Sequence, residues 1–224
     1  MSLLRRLIPA LLLSLAAGLV WAGDTSVVSQ APQGLHFCVT CHGVDGVGNE
    51  AIRAPRLAGL SRWYLRRQLL GFQQGYRGYH EADEAGKEMR PMAEILTPAE
   101  IDQVLDWMAT WPTAAVVAES AAPQAAGELA ASVARGELLY ETCSACHGSA
   151  AQGLEAAAGP ALAGQSGWYL RAQLQKFKQG LRGTQSGDVY GAQMRTMTQM
   201  LGDEQAIADV VSYIQTLQQA ESEQ

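Results

Sequence analysis

Cys38-Val39-Thr40-Cys41-His42-Gly43 and, 105 residues further on, Cys143-Ser144-Ala145-Cys146-His147-Gly148 decide how this chain is read. All 4 cysteines lie in these two stretches, so none remains for a structural disulfide. Two cysteines three apart on a helical turn can both reach the vinyl groups of one porphyrin. The histidine that follows then points at the iron. C-x-x-C-H is the attachment signature of a c-type haem, here with Cys38, Cys41, Cys143 and Cys146 as the covalent anchors and His42 and His147 as the first axial ligands. Two other readings compete. A redox dithiol expects a strand leading into the motif and an α/β pattern around it. A zinc site needs four ligands, and copies about 100 residues apart make a poor local one.

Outward from the motifs, the same 105-residue offset aligns the two halves without a gap. Pro55 falls on Pro160, Leu57-Ala58-Gly59 on Leu162-Ala163-Gly164, and Trp63-Tyr64-Leu65-Arg66 on Trp168-Tyr169-Leu170-Arg171. Phe72, Gly75 and Arg77-Gly78 meet Phe177, Gly180 and Arg182-Gly183, and Met89, Met92 and Leu96 meet Met194, Met197 and Leu201. Near the end the offset becomes 106, pairing Ile101, Val104, Leu105 and Trp107 with Ile207, Val210, Val211 and Tyr213. A whole domain has been duplicated, one haem motif per copy.

The periodicity within each copy is helical. Ile101, Val104, Leu105 and Met108 fall at i, i+3, i+4 and i+7 behind Thr97-Pro98-Ala99-Glu100, a capping box with proline at the first helical position. Ile207, Val210, Val211 and Ile214 repeat the stripe behind Asp203 and Glu204. A middle helix carries Leu65, Leu69 and Phe72, matched by Leu170, Leu174 and Phe177, and stops at Gly75 and Gly180. Ser132 is placed to cap a helix entering the second motif. No alternating strand pattern appears, so the class is all-α, two tandem domains each wrapped around one haem.

A second axial ligand decides between electron transfer and chemistry on an open iron. The histidines are His36, His42, His80 and His147, which leaves none to serve it in the second copy. Methionines can: Met89 and Met92, like Met194 and Met197, lie 47 and 50 residues after their haem histidines. A thioether favours ferrous iron and raises the potential, as a carrier requires. Met89 and Met194 lie in Gly-, Arg- and Gln-containing stretches that read as loops, which favours ligation over packing. Met108 and Met200 read as packing residues, and His36 and His80 as solvent-facing.

Residues 1–22 read as an export signal: Arg5 and Arg6, an apolar run from Leu7 to Val20, then a small-residue cleavage site ending at Ala22. That run is shorter than the roughly 20 residues a membrane-spanning helix needs. Domains are expected at 23–111 and 132–220, joined by an alanine-rich linker at 112–131 and followed by a tail at 221–224. Without the two signal arginines, 14 bases face 22 acids, a net charge of −8. An acidic surface argues against nucleic acid and favours a partner with a basic docking patch.

The chain resembles the diheme cytochromes c4, two class I cytochrome c domains in tandem. The resemblance rests on C-V-T-C-H-G with C-S-A-C-H-G, on the long P-R-L-A-G and P-A-L-A-G stretches through Arg77-Gly78 and Arg182-Gly183, and on M-R-x-M before each last helix. It implies two covalent haems c, with Met89 and Met194 as the axial thioethers and Met92 and Met197 as alternates. It implies further that the Pro55 and Pro160 carbonyls orient the haem histidines, that Arg77 and Arg182 lie near the propionates, and that Trp107 and Tyr213 pack against each first helix. The function it implies is that of a periplasmic, non-enzymatic electron carrier from a quinol-oxidising complex or dehydrogenase to a terminal oxidase or reductase. The alternative is the cytochrome subunit of a periplasmic oxidoreductase. Its partners would be membrane respiratory complexes or periplasmic redox enzymes, with at most peripheral membrane association.

Overall fold

The computed structural model describes residues 30–111 and 131–222, with side chains of the last helix described to residue 217. The expected signal at 1–22, residues 23–29 of the expected first domain, all but residue 131 of the expected linker at 112–131 and the last two tail residues lie outside them.

The first repeat contains α1 (Cys38–His42), α2 (Arg62–Gln73), α3 (Glu84–Glu94) and α4 (Pro98–Met108), with a 3-10 turn at Glu50–Ile52. The second contains α5 (Val133–His147), α6 (Gly167–Lys178), α7 (Val189–Thr198) and α8 (Glu204–Ser222), with the matching turn at Glu155–Ala157. Among the described residues the backbone forms no strand, only the isolated bridges Asn49–Ala54 and Leu154–Gly159 that close the loop after each motif. The all-α expectation holds.

Local chemistry sets the helix ends. Thr97 and Glu100 make the reciprocal capping box of α4, with Pro98 at the first turn. Ser132 accepts from the Arg135 amide at the start of α5, and Asp203 from the Ala206 amide at α8. Gly75 and Gly180 turn the chain out of α2 and α6 at positive φ. In each domain the last helix carries the core. Ile101, Val104 and Leu105 pack with Leu65, Leu69 and Phe72, and Ile207, Val210 and Val211 with Leu170 and Tyr140. Burying one such side chain is worth about 1.5–3 kcal/mol.

Two expectations fail. Met89 and Met194 are not in loops: they sit on α3 and α7. The misleading residues were glycines. Asp83 and Asp188 cap these helices by accepting from the amides of Gly86 and Gly191, and a Cβ at either glycine would lie 2.1 or 1.9 Å from the capping carboxylate. Glycine there makes room for a cap instead of breaking a helix. Met200 is not a packing residue, being 60% exposed, whereas Met108 is buried as expected.

The two domains meet along α2 and α6 and the loops that follow them. Tyr79 hydrogen-bonds Thr184, its own repeat equivalent. Around it Arg182 donates to both Gln68 and Gln173 at 2.7 Å, and Arg77 to Gln68 at 2.8 Å and to Tyr169 at 3.4 Å. Gln165 adds a bond to the Arg56 carbonyl across the seam.

Candidate haem sites

Each motif histidine ends its helix and is buried, His42 at 6% and His147 at 7% exposure. Their Nδ1 atoms lie 2.7 Å from the carbonyl oxygens of Pro55 and Pro160. A ring that donates from Nδ1 keeps its lone pair on Nε2, the nitrogen left for a metal. Burial pushes both imidazoles below their ordinary pKa, with the proline carbonyl pulling the other way. The net direction favours the neutral, ligating form. The prolines are held by the loop after each motif, where Gly48 and Gly153 donate to the histidine carbonyls and Leu57 and Leu162 to those of Gly46 and Ala151.

No disulfide joins the four motif cysteines; Cys41 is exposed and the others half-buried. Burial pushes the Cys38 thiol up to about 11 and raises that of Cys143. A catalytic dithiol works through a lowered pKa. These thiols run the other way, and no strand leads into either motif among the described residues. Nor does any group of three or more His, Cys, Asp or Glu side chains come together there, as a zinc site would require.

In the second domain a cavity of about 680 Å³ is lined by Cys143, Cys146, His147, Met194 and Met197. That lies within the roughly 300–1,000 Å³ typical of cofactor sites. Both methionines of the second pair reach it. In the first domain the pair separates: Met89 packs against the core, while Met92 is 40% exposed. The cavity extends across the seam to Tyr64, Arg67 and Arg77, and Arg182 lines it from its own side.

Arg77 and Arg182 lie with their guanidinium carbons 4.4 and 4.5 Å from the ring centroids of Phe72 and Phe177. Their described hydrogen-bond partners are neutral, Gln68, Gln173, Tyr169 and Tyr64. Burial alone would raise the Tyr169 phenol, and the Arg77 and Arg182 guanidiniums outweigh it and bring the group below its ordinary value. A buried cation, Arg182, and a half-buried one, Arg77, on a cavity wall with neutral hydrogen-bond partners fit a ligand that brings its own carboxylates, as haem does through its propionates.

The glutamines and tyrosines of the seam were not singled out from sequence, though Tyr64 with Tyr169 and Gln68 with Gln173 repeat at the 105-residue offset, which was the available signal. The ion pair of Lys176 with Asp83 had no such signal, since the residue at the repeat position of Lys176 is Gly71.

A helical domain built twice, each copy with a C-x-x-C-H motif closing a helix against a proline carbonyl, defines a two-haem c-type cytochrome. The chain belongs to the cytochrome c family, whose family model matches residues 33–112 and 133–218, and within it to the diheme cytochromes c4. It is 34% identical over 204 residues to the thiosulfate dehydrogenase electron acceptor of Stutzerimonas stutzeri, covering 90% of each chain. It is 31% identical over 218 residues to cytochrome c4 of Azotobacter vinelandii, covering 92% of this chain and 96% of that one. The solved cytochrome c4 of Acidithiobacillus ferrooxidans, 27% identical, superimposes with a TM-score of 0.60 over 80% of this chain and 98% of its own. The protein carries two covalent haems c and transfers electrons, as a carrier or as a subunit of an oxidoreductase.

Proposed function

We propose that this chain is an exported electron carrier that accepts electrons from a periplasmic dehydrogenase and hands them to a terminal oxidase or reductase, without catalysis of its own. The observation that carries this reading is the doubled site: two motif histidines oriented alike by Pro55 and Pro160, each in a domain that also carries a pair of methionines at matching positions. In the reading, the segment at 1–22 is removed on export, the domains occupy 23–111 and 132–220, and the protein works in the periplasm with at most peripheral membrane contact. Among the described residues no helix is long and apolar enough to cross a membrane.

Each haem supplies a one-electron ferric–ferrous couple. The chain's residues do the rest. Cys38, Cys41, Cys143 and Cys146 anchor the two groups covalently, and His42 and His147 offer Nε2 to the iron. Met89 and Met194 would supply the thioether ligands of the two irons, which would keep exogenous ligands away and hold the potential high. Arg77 and Arg182 balance propionate charge at the seam. The name of the Stutzerimonas relative supports a thiosulfate dehydrogenase as the donor.

Two measurements test this. The diferric protein, mixed with a thiosulfate dehydrogenase and thiosulfate, should become reduced at both haems; no reduction at any donor concentration removes that donor. Met89→Ala should lower the potential of the first haem and Met194→Ala that of the second. An unchanged potential in either variant moves the ligand to Met92 or Met197. The same relative also favours a second reading, a tightly held subunit of the dehydrogenase, which a stable complex through gel filtration would establish.

A further inference from the structure

The helices that carry the axial methionines begin in the same way and are supported differently. In α3 the Asp83 carboxylate accepts from the Gly86 amide at 3.1 Å, and in α7 the Asp188 carboxylate accepts from the Gly191 amide at 2.9 Å. Each aspartate stands six residues before its methionine, about 9 Å along a helix axis. A helix of two or three turns moves as a rigid rod, so where its cap is held sets where its methionine stands.

Asp83 is held from the other domain. Lys176 of α6 reaches across the seam and places its ammonium 2.6 Å from the Asp83 carboxylate, with side-chain exposures of only 18% and 4%. Arg77 contributes a longer-range positive charge to the same carboxylate. Burial works against the Asp83 charge, and Lys176, with help from the Gly86 amide and Arg77, outweighs it and holds the group below its ordinary pKa. At Asp188 the arrangement differs. The repeat equivalent of Lys176 is Gly71, which has no side chain to extend. Arg67 feels Asp188 only as a distant charge, since its guanidinium is spent on the Ala158 carbonyl at 2.8 Å and lies over the rings of Trp63 and Tyr190.

We infer that Lys176 is a positioning residue for the first haem: by anchoring the Asp83 cap from the second domain, it fixes α3 and with it the approach of Met89 to the iron. The inference rests on Met89 being the first domain's axial ligand. It makes ligation in one domain depend on the integrity of the seam, in one direction only. A neutral residue at 176 leaves a nearly buried carboxylate without its counter-charge at the start of α3. That helix then shifts or frays toward solvent, and the Met89–iron bond weakens while Met194 on α7 is untouched.

The test uses the full diheme holoprotein. In the reduced state, proton NMR shows one strongly upfield methyl signal for each axial methionine. In the ferric state, each haem loses its methionine at a characteristic alkaline pH. Lys176→Met should shift the first haem's methyl signal, lower its potential and bring its loss of methionine to lower pH, leaving the second haem at wild-type values. Lys176→Arg should restore the first haem. Asp83→Asn retains a cap acceptor for Gly86 while deleting the ion pair, and should reproduce the effect of Lys176→Met even if that variant folds poorly. Equal shifts at both haems would mean general loosening of the seam and overturn the inference, as would wild-type behaviour at both. Met89→Ala separates the two claims. If it spares the first haem's methyl signal, the ligand reading fails and the positioning role falls with it. If it abolishes that signal while Lys176→Met changes nothing, only the positioning role fails.

Discussion

The two domains hold their haem motifs alike and support them differently. In the second, fifteen-residue α5 lies along α8. Gly136 abuts the Asp209 backbone, Tyr140 meets Tyr213 at 5.5 Å between ring centroids, and the buried Asp209 carboxylate reaches back to the Ser132 amide at 2.8 Å and Arg135 at 2.6 Å. In the first, α1 has five residues, and Pro32 and Gly34 stand where Glu137 and Leu139 stand in the second. Asp209 is replaced by exposed Gln103 and Leu217 by Trp111, whose ring meets Trp107 edge to face at 5.0 Å and covers Gly46. The terminal helix must be covered so that its motif loop stays closed. One domain does this with a helix, the other with an indole. What stays constant is the histidine–proline bond, at 2.7 Å in both.

That contrast can be broken most severely at Trp111, which is 2% exposed. Trp111→Ala should destabilise the first domain by about 3–5 kcal/mol, the cost of emptying a buried aromatic site. Leu217→Ala, at a half-buried position, should cost the second domain clearly less. Hydrogen exchange read separately over the two domains checks the pair. A Cβ at Gly46 would lie 2.1 Å from the Trp111 ring, so Gly46→Ala should be damaging alone and clearly less so when added to Trp111→Ala, where the strain of its left-handed backbone remains. Next in size is Gly136→Ala. Its Cβ would stand 2.0 Å from the Asp209 carbonyl oxygen, forcing α5 off α8 at a cost of about 3 kcal/mol, measured by thermal unfolding.

Much of this was legible beforehand, and the reason is physical. C-x-x-C-H is read because covalent chemistry fixes its spacing, and the capping box at Thr97 because its bonds are local to four residues. Duplication made the rest visible by repeating it, which is how Pro55 with Pro160 and the paired methionines stood out. Two kinds of feature escaped. Met89 and Met194 looked like loop residues because Gly86 and Gly191 lower helix propensity, and the compensating aspartate caps are apparent only when the carboxylate is seen against the glycine. Features without a repeat partner, Trp111 and the Lys176–Asp83 pair, depend on contacts between segments far apart in sequence, on which neither periodicity nor spacing bears.

A smaller effect is expected at Asp209. Burial opposes its charge, but Arg135, the Ser132 amide and Gln205 outweigh burial and hold the carboxyl below its ordinary pKa. A group depressed in this way contributes stability above the ordinary carboxylate range and loses it as pH falls through the lowered folded value. Asp209→Asn, which turns an amide toward donors, should therefore cost the second domain about 2 kcal/mol at neutral pH, by loss of the charge-assisted bonds. The difference from wild type should shrink on acidification. Gln103→Ala, at the equivalent exposed position, should change the first domain by less than about 0.5 kcal/mol at any pH.

The mildest change tests why one position carries glycine in one domain and alanine in the other. Gly46 and Ala151 are repeat equivalents, and both have left-handed backbones, with φ of 71° and 57°. Alanine in that region costs about 1–2 kcal/mol. Its methyl is fully buried, however, worth about 0.8 kcal/mol, and alanine restricts the unfolded chain by a further 0.4–1 kcal/mol or so. These terms nearly cancel, so Ala151→Gly should leave the second domain within about 0.5 kcal/mol of wild type in calorimetry. The first domain has no such freedom, because the Trp111 ring occupies the space a methyl would need. The glycine at 46 is thus set by the indole, and a stabilisation of more than about 1 kcal/mol from Ala151→Gly would show that backbone strain, not the neighbouring ring, governs the position.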